Sequence, residues 1–303
     1  MFCHIYENVN FTNYAGVNMK KIALKNSSRL ISVLIILSVI TSAFVCTSTV
    51  QAKTSKPKKP LTFAHRGYSA KYPENTLKAF KGAFKNGFDG VECDVWENKS
   101  GVLFVHHDST VKRMTGKNIN IWELKLSERD KFPIINGANI KKYKDTPLLI
   151  PTLSETLKIV SKHKGHLILH IKDSNGYNLS SKGTKKIVKL LDKYKLKGKT
   201  TIIGRESGIK GFLKSGYNIA LNISPDSSEK LKNTIKWCKK NNIKTVCVIK
   251  MNHLNVLGTK KKFVKYLKKN GLKFGMYTTP DNKSYQKLTT LKAVFAMSDD
   301  YVA

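Results

Sequence analysis

Glu92 and Asp94 stand one residue apart inside the apolar run from Val91 to Val95. In a strand, alternate side chains share a face. The two carboxylates therefore project together, while Val91, Cys93 and Val95 point the other way. Two like charges on an apolar strand are costly to bury unless a cation binds them, and a metal ion meets that need. His65-Arg66-Gly67 lies upstream and His107-Asp108 downstream, each at the end of its own apolar run. Two imidazoles able to carry protons near neutrality, one guanidinium and a carboxylate pair suit metal-assisted chemistry on a phosphate.

The elements that must position these groups alternate along the chain. Strands are expected at Leu61–His65, Gly90–Trp96, Val102–His107, His166–Lys172, Thr200–Ile203, Asn218–Ile223, Thr245–Ile249, Lys273–Thr278 and Ala293–Met297. Helices are expected at Asn75–Asn86, Thr152–His163, Gly183–Tyr194, Ser228–Lys240 and Lys260–Lys269, with a short one near Ile209–Leu213. Repeated βα units of this length predict parallel strands wrapped by helices. The fold class is α/β, and a (β/α)8 TIM-type barrel matches the size. Nine strand-like segments stand for eight barrel places, so one of them, for instance in the 90–108 pair, is expected either to lie outside the ring or to be no strand at all. Residues 109–150, with Gly116, Pro133, Gly137 and Pro147, break the rhythm and read as an inserted loop or subdomain after the third strand. No Gly-rich phosphate loop occurs, which argues against a doubly wound sheet. In such a barrel the active groups sit at the C-terminal strand ends. His65-Arg66, Glu92/Asp94, His107-Asp108 and His170/Lys172 all fall there on this reading, delivered by four consecutive strands.

The start of the chain reads differently. Lys20, Lys21, Lys25 and Arg29 precede an apolar run from Leu30 to Val45, and small and polar residues follow to Ala52. That order reads as a secretory signal peptide over residues 1–52, with Met19 as the expected start and an uncleaved N-terminal anchor as the rival. The serines and threonines within the run argue against a permanent membrane span. Residues 53–60 form a basic linker, and 61–303 the barrel domain. The formal net charge is +35, almost all of it lysine spread along the chain. Diffuse lysine of this kind reads first as a solvated surface and second as a tether to an anionic cell-envelope polymer or membrane surface. Without zinc-finger spacing or an arginine cluster, no nucleic-acid partner is expected. Cys93 is expected in the core, while Cys238 and Cys247 could pair.

The motifs carry a resemblance. They are His65-Arg66-Gly67, then Pro73-Glu74-Asn75-Thr76 opening a helix with Ala79-Phe80, then Glu92-Cys93-Asp94-Val95 and His107-Asp108. Looser matches follow at Ile171-Lys172, Tyr277-Thr278 and Ser298-Asp299. On these pieces, over about residues 61–300, the chain resembles the glycerophosphodiester phosphodiesterase family. The resemblance implies a barrel that hydrolyses glycerophosphodiesters to glycerol phosphate and an alcohol. It implies that His65 and His107 are general acid and base, and that Arg66 and Lys172 hold the phosphate. Glu92 and Asp94 would hold one divalent metal ion. Glu74 and Asn75 would order the first loop and cap its helix, with Asp108 supporting. The family's third metal-binding glutamate falls at position 170, where this chain has His170. Calcium or magnesium is implied by the family, while an imidazole ligand admits manganese or zinc. Gly204-Arg205-Glu206 and Tyr277 also depart from the family pattern and bear on substrate choice. His106 reads as structural, Tyr277 as core packing, Asp299 as a rim residue, and His163, His166 and His253 as surface groups. Two rival readings remain: a barrel that binds envelope glycerol-phosphate polymers without hydrolysing them, and a phospholipase-type enzyme on intact lipid.

Overall fold

The computed structural model describes residues 58–301 except Asn175. The expected signal segment, its start at Met19 and most of the basic linker lie outside the described residues. Eight parallel strands form a closed ring: β1 (Leu61–Ala64), β2 (Gly90–Glu97), β4 (His166–Ile171), β5 (Thr200–Gly204), β6 (Asn218–Ile223), β7 (Thr245–Val248), β8 (Lys273–Met276) and β9 (Phe295–Ser298). Closure runs through β1, which pairs Phe63 with Gly90 on one side and Leu61 with Phe295 on the other. The ninth strand, β3 (Leu103–Val105), lies outside the ring and pairs antiparallel with β2, Val95 opposite Val105. His107-Asp108 therefore does not end a barrel strand, which corrects the four-strand expectation. The chain overshoots the rim along β2, turns at 98–101, and returns through β3. The backbone N–H of His106 then donates to the Asp94 carbonyl at 3.0 Å, bringing His107 back to rim level.

Helices α1 (Leu77–Lys85), α3 (Leu153–Lys162), α4 (Ser181–Lys193), α6 (Ser228–Lys240), α7 (Lys260–Lys269) and α8 (Asn282–Thr290) cover the ring, with the single turn α5 (Glu206–Ile209) between α4 and α6. Each of the six longer helices starts where a side-chain oxygen accepts a first-turn N–H: Thr76, Thr152, Ser180, Ser227, Thr259 and Asp281. Such caps contribute about 1 kcal/mol each. Helix α8 is absent from the sequence expectation. It buries only Tyr285, Leu288 and Thr289, too few apolar residues to mark a period.

Two apolar layers follow from the strand alternation. Val91, Cys93, Val95, Leu167 and Leu169 pack outward under the helices. Phe63, Ile168, Ile203, Ala220, Cys247 and Met297 fill the barrel interior. Cys93, Cys238 and Cys247 are buried and free, so the 238–247 pairing does not form. Residues 109–150 hold α2 (Lys112–Thr115) and three short 3-10 turns, packed around Trp96, Phe104, Val111, Met114, Ile121 and Leu124. Among the described residues no helix is long and apolar enough to cross a membrane.

Candidate active site

The turn after β1 holds the first histidine. Arg66 and Asn75 adopt φ of 57° and 54°, and Gly67 adopts φ of 76°. A Cβ at Gly67 would stand 2.6 Å from that of Ala79, so glycine is required there. The left-handed Arg66 costs about 1–3 kcal/mol. Two bonds hold it: its N–H donates to Glu92 Oε2 at 2.9 Å, and its carbonyl accepts from the Asn75 N–H at 2.8 Å. The same bonds place His65 on the rim, where its side chain is 7% exposed. His65 Nδ1 lies 2.6 Å from Asp299 Oδ1. Its Nε2 lies 3.0 Å from the Tyr277 hydroxyl and 3.2 Å from Arg66 Nε. Burial, with Glu92 and Asp94 adding to it, raises the Tyr277 pKa, so its hydroxyl stays protonated. Two donors at Nε2 and a carboxylate at Nδ1 assign the neutral ring its proton on Nδ1. Nε2 then carries a lone pair, as a general base requires.

The second histidine has the same backing. His107 Nδ1 lies 2.6 Å from Asp108 Oδ1, and Arg113 Nε donates to Asp108 Oδ2 at 2.6 Å. Arg113 also grips Glu74, Nη2 to Oε1 at 2.6 Å and Nη1 to Oε2 at 3.1 Å, while Arg66 Nη1 donates to the same Oε1 at 2.9 Å. One polar chain thus runs from His107 through Asp108, Arg113, Glu74 and Arg66 to His65. Burial opposes the Asp108 charge, but His107 and Arg113 outweigh it and hold its carboxyl well below the usual range. Burial likewise opposes the Arg66 charge and is outweighed by Asp94 and Glu74, which keep it a cation.

Between these groups lie Glu92 and Asp94, both fully buried. Strand register sets Asp94 beside His170. His170 Nδ1 stands 3.1 Å from Asp94 Oδ1 and 3.7 Å from Glu92 Oε1, and Lys172 Nζ lies 3.5 Å from Asp94 Oδ1. The 3.1 Å approach is not aligned as a hydrogen bond. Glu92 Oε1, Asp94 Oδ1 and His170 Nδ1 all lack a hydrogen-bond partner among the described residues. Two buried carboxylate oxygens and an imidazole nitrogen that converge without an aligned hydrogen bond are unfavourable, and a divalent cation in place of the ring proton is a group that fits them. One ligand atom from each residue falls within 4.8 Å of the others. The charge count agrees. Glu74, Glu92, Asp94, Asp108 and Asp299 face Arg66, Lys172 and Arg113, five carboxylates against three cations. In a chain of net charge +35, this site is locally acidic.

Residues 65–302 match the model of the glycerophosphoryl diester phosphodiesterase family. The chain belongs to this family. It is 36% identical over 114 residues to a glycerophosphodiester phosphodiesterase of Bacillus altitudinis, covering 37% of this chain and 45% of that protein. It is 34% identical over 145 residues to one of Caldanaerobacter subterraneus, covering 48% of this chain and 57% of that protein. The chain thus spans about half the length of the curated relatives it matches. Its fold is similar to that of an Oleispira antarctica phosphodiesterase solved with the product sn-glycerol-3-phosphate. That likeness has a TM-score of 0.66 at 22% identity and covers 80% of this chain and 93% of the other. A Thermotoga maritima glycerophosphodiester phosphodiesterase gives a TM-score of 0.60 at 23% identity over 80% and 95% of the two chains.

Within this family fold, the ten residues singled out from sequence gather at one rim, but three contacts differ from expectation. Asn75 does not cap α1. Its left-handed backbone is wrong for a cap, which Thr76 supplies. Its amide instead donates to Asp94 Oδ2 at 2.8 Å. Asp299, read as a rim residue, stands on His65. Tyr277, read as packing, bonds the same ring. Arg113 and Asn222 carry no motif and were not singled out. Asn222 Nδ2 lies 3.1 Å from His170 Nε2, and only its alternation with Ala220 along β6 hinted that it faces inward. A cavity of about 350 Å³ adjoins the cluster, lined by His170, Lys172, Arg205, Asn222 and Lys230 among others.

Proposed function

We propose that the chain is a divalent-metal-dependent phosphodiesterase that hydrolyses glycerophosphodiesters to glycerol phosphate and an alcohol. Two carboxylate-backed histidines beside three unpartnered buried ligand atoms carry this reading. Arg66 and Lys172 hold the non-bridging phosphate oxygens. His65 Nε2 takes the proton of a substrate glycerol hydroxyl, whose oxygen attacks phosphorus. His107 gives a proton to the leaving alcohol oxygen. Water then opens the resulting cyclic phosphate with the two roles exchanged. Asp299 and Asp108 hold the two rings and offset the charge each gains when protonated. Glu92, Asp94 and His170 would hold the ion, which when bound would supply positive charge to the phosphoryl group and acidify a hydroxyl. A mixed oxygen–nitrogen set admits manganese or zinc as well as calcium or magnesium.

The test is turnover of glycerophosphocholine, and of a glycerol-phosphate polymer, by the purified chain with each of these four ions. Turnover is expected with at least one ion, and a loss of at least about a thousandfold in His65→Ala and His107→Ala. No turnover with any ion on either substrate sinks the reading. The basic, apolar, then small-residue start supports export and an envelope location. N-terminal sequencing of protein recovered outside the cell, expected to begin near Lys53, checks it.

A further inference from the structure

We propose that Asn222 is a positioning residue that selects the ring tautomer of His170, so that Nδ1 is free to bind the metal ion. The proposal rests on the reading that Glu92, Asp94 and His170 hold such an ion. His170 offers two nitrogens to two different neighbours. Nδ1 faces Glu92 Oε1 and Asp94 Oδ1, and Nε2 faces the Asn222 amide at 3.1 Å.

The amide can meet Nε2 in two ways. With Nδ2 toward the ring, the amide donates to an Nε2 lone pair. The ring proton then sits on Nδ1, the atom aimed at the carboxylates, and that atom cannot coordinate. Asn222 Oδ1 is meanwhile left buried without a partner. With the amide turned over, Oδ1 accepts from Nε2–H, its own unpaired state ends, and in the neutral ring Nδ1 carries a bare lone pair. Oxygen and nitrogen are nearly the same size, so the turn asks for little movement of the surrounding atoms.

The balance between the two states depends on the ion. Without a cation, a bare Nδ1 beside two carboxylate oxygens brings three acceptors together with no donor, and the proton belongs on Nδ1. With a cation the same three atoms become ligands, and the proton belongs on Nε2, held by Asn222 Oδ1. A metal-ligating histidine takes its orientation and tautomer from the partner of its other nitrogen, and removing such a partner weakens metal binding by about 10- to 100-fold. A carboxylate at position 170 would need no such partner. An imidazole does, and Asn222 is the group that meets it.

Metal affinity read by calorimetry with manganese and zinc salts on the full chain tests this without recourse to turnover. Asn222→Leu, which fills similar space but neither donates nor accepts, is expected to bind about 10- to 100-fold more weakly. Asn222→Asp, a fixed acceptor, is expected to bind at least as tightly as the wild type. Nitrogen-resolved NMR of labelled histidine, with His170→Gln to assign the signal, should show the His170 proton move from Nδ1 to Nε2 as zinc is added. Asn222→Leu affinity within twofold of wild type, or a tautomer unchanged by zinc, overturns the proposal while leaving the metal site standing. A wild-type chain that binds no divalent ion overturns both. Weak binding by Asn222→Asp as well as Asn222→Leu marks general damage to the fold, and also counts against the tautomer argument.

Discussion

Asp299→Asn is the sharpest probe of how His65 works. Asp299 Oδ1 lies 2.6 Å from Nδ1 of a ring whose side chain is 7% exposed, while the Asp299 side chain itself is 58% exposed. Ser69 Oγ donates to the same oxygen at 2.9 Å. Burial opposes the Asp299 charge, yet His65 and Ser69 outweigh it and lower its pKa. When His65 accepts a proton, an ion pair forms with charge centres about 4 Å apart. That is worth about 1 kcal/mol in bulk water and about 4 kcal/mol near a protein surface. Discounting for the exposed side of the carboxylate leaves about 2–3 kcal/mol. Asparagine can still accept from Nδ1–H, so ring placement survives and the charge alone is lost.

The expected result is a fall of about 30- to 150-fold in kcat with KM within about threefold of wild type, since each 1.36 kcal/mol is tenfold in rate. The assay is steady-state release of glycerol phosphate from glycerophosphocholine. Asp299→Asn combined with His65→Ala should be no slower than His65→Ala alone, because the carboxylate acts only through the ring. A single variant within threefold of wild type, or a fully additive double variant, refutes the reasoning.

Arg113→Leu should lower kcat about tenfold, because it frees both Asp108 and Glu74 from one fork, and Arg113→Lys should restore little of that loss. With 42% of the Arg113 side chain exposed, its effect on the urea unfolding free energy should stay below about 1 kcal/mol. His106 sets a pH dependence of stability: burial lowers its pKa, outweighing its bond to the Thr110 carbonyl at 3.0 Å and the nearby Asp108 and Glu74. Between that lowered value and the unfolded value of about 6.5, the unfolded chain binds the extra proton, so stability falls as pH falls through 6.5. The urea midpoint measured from pH 7.5 to 5.5 should drop more steeply for the wild type than for His106→Gln.

Much of the barrel could be read from residue pattern because each βα unit carries its own signals. Strands such as β4 carry short continuous apolar runs, here Leu167, Ile168 and Leu169, and Thr152, Ser180 and Ser227 announce the helices that follow. What escaped was held by other forces. Helix α8 has few apolar residues and is set by the Asp281 cap and by Tyr285, whose hydroxyl donates to the Pro60 carbonyl at 2.8 Å, 225 residues away. Strand β3 shares its apolar composition with barrel strands. Its antiparallel direction follows from the short 98–101 turn, where Asn98 Oδ1 accepts from Ser100 and Val102 N–H at 3.0 and 2.7 Å. A four-residue turn cannot carry a parallel crossover, which needs a dozen residues or more, and that spacing was the available clue.

The site divides along the same line. Groups adjacent in sequence to a motif were legible: His65, Arg66, Glu74, Asn75, Glu92, Asp94, His107, Asp108 and Lys172. The groups that tune them come from remote segments and are ordinary residue types. Asp299 reaches His65 across 234 positions, Asn222 reaches His170 across 52, and Arg113 reaches Glu74 across 39. No local pattern marks Asn222 or Arg113, and Asp299 stood only in a loose family match, because each is fixed by barrel closure or by the 109–150 segment folding back. This has a consequence for position 170. A glutamate in that place would be a complete ligand on its own strand. A histidine ligand there would need a correct partner two strands around the ring, so on the tautomer proposal His170 and Asn222 act as a unit. His170→Glu alone leaves Asn222 facing a carboxylate it can donate to; an all-oxygen set of that kind suits calcium or magnesium, whereas the proposed oxygen–nitrogen set would admit manganese or zinc as well.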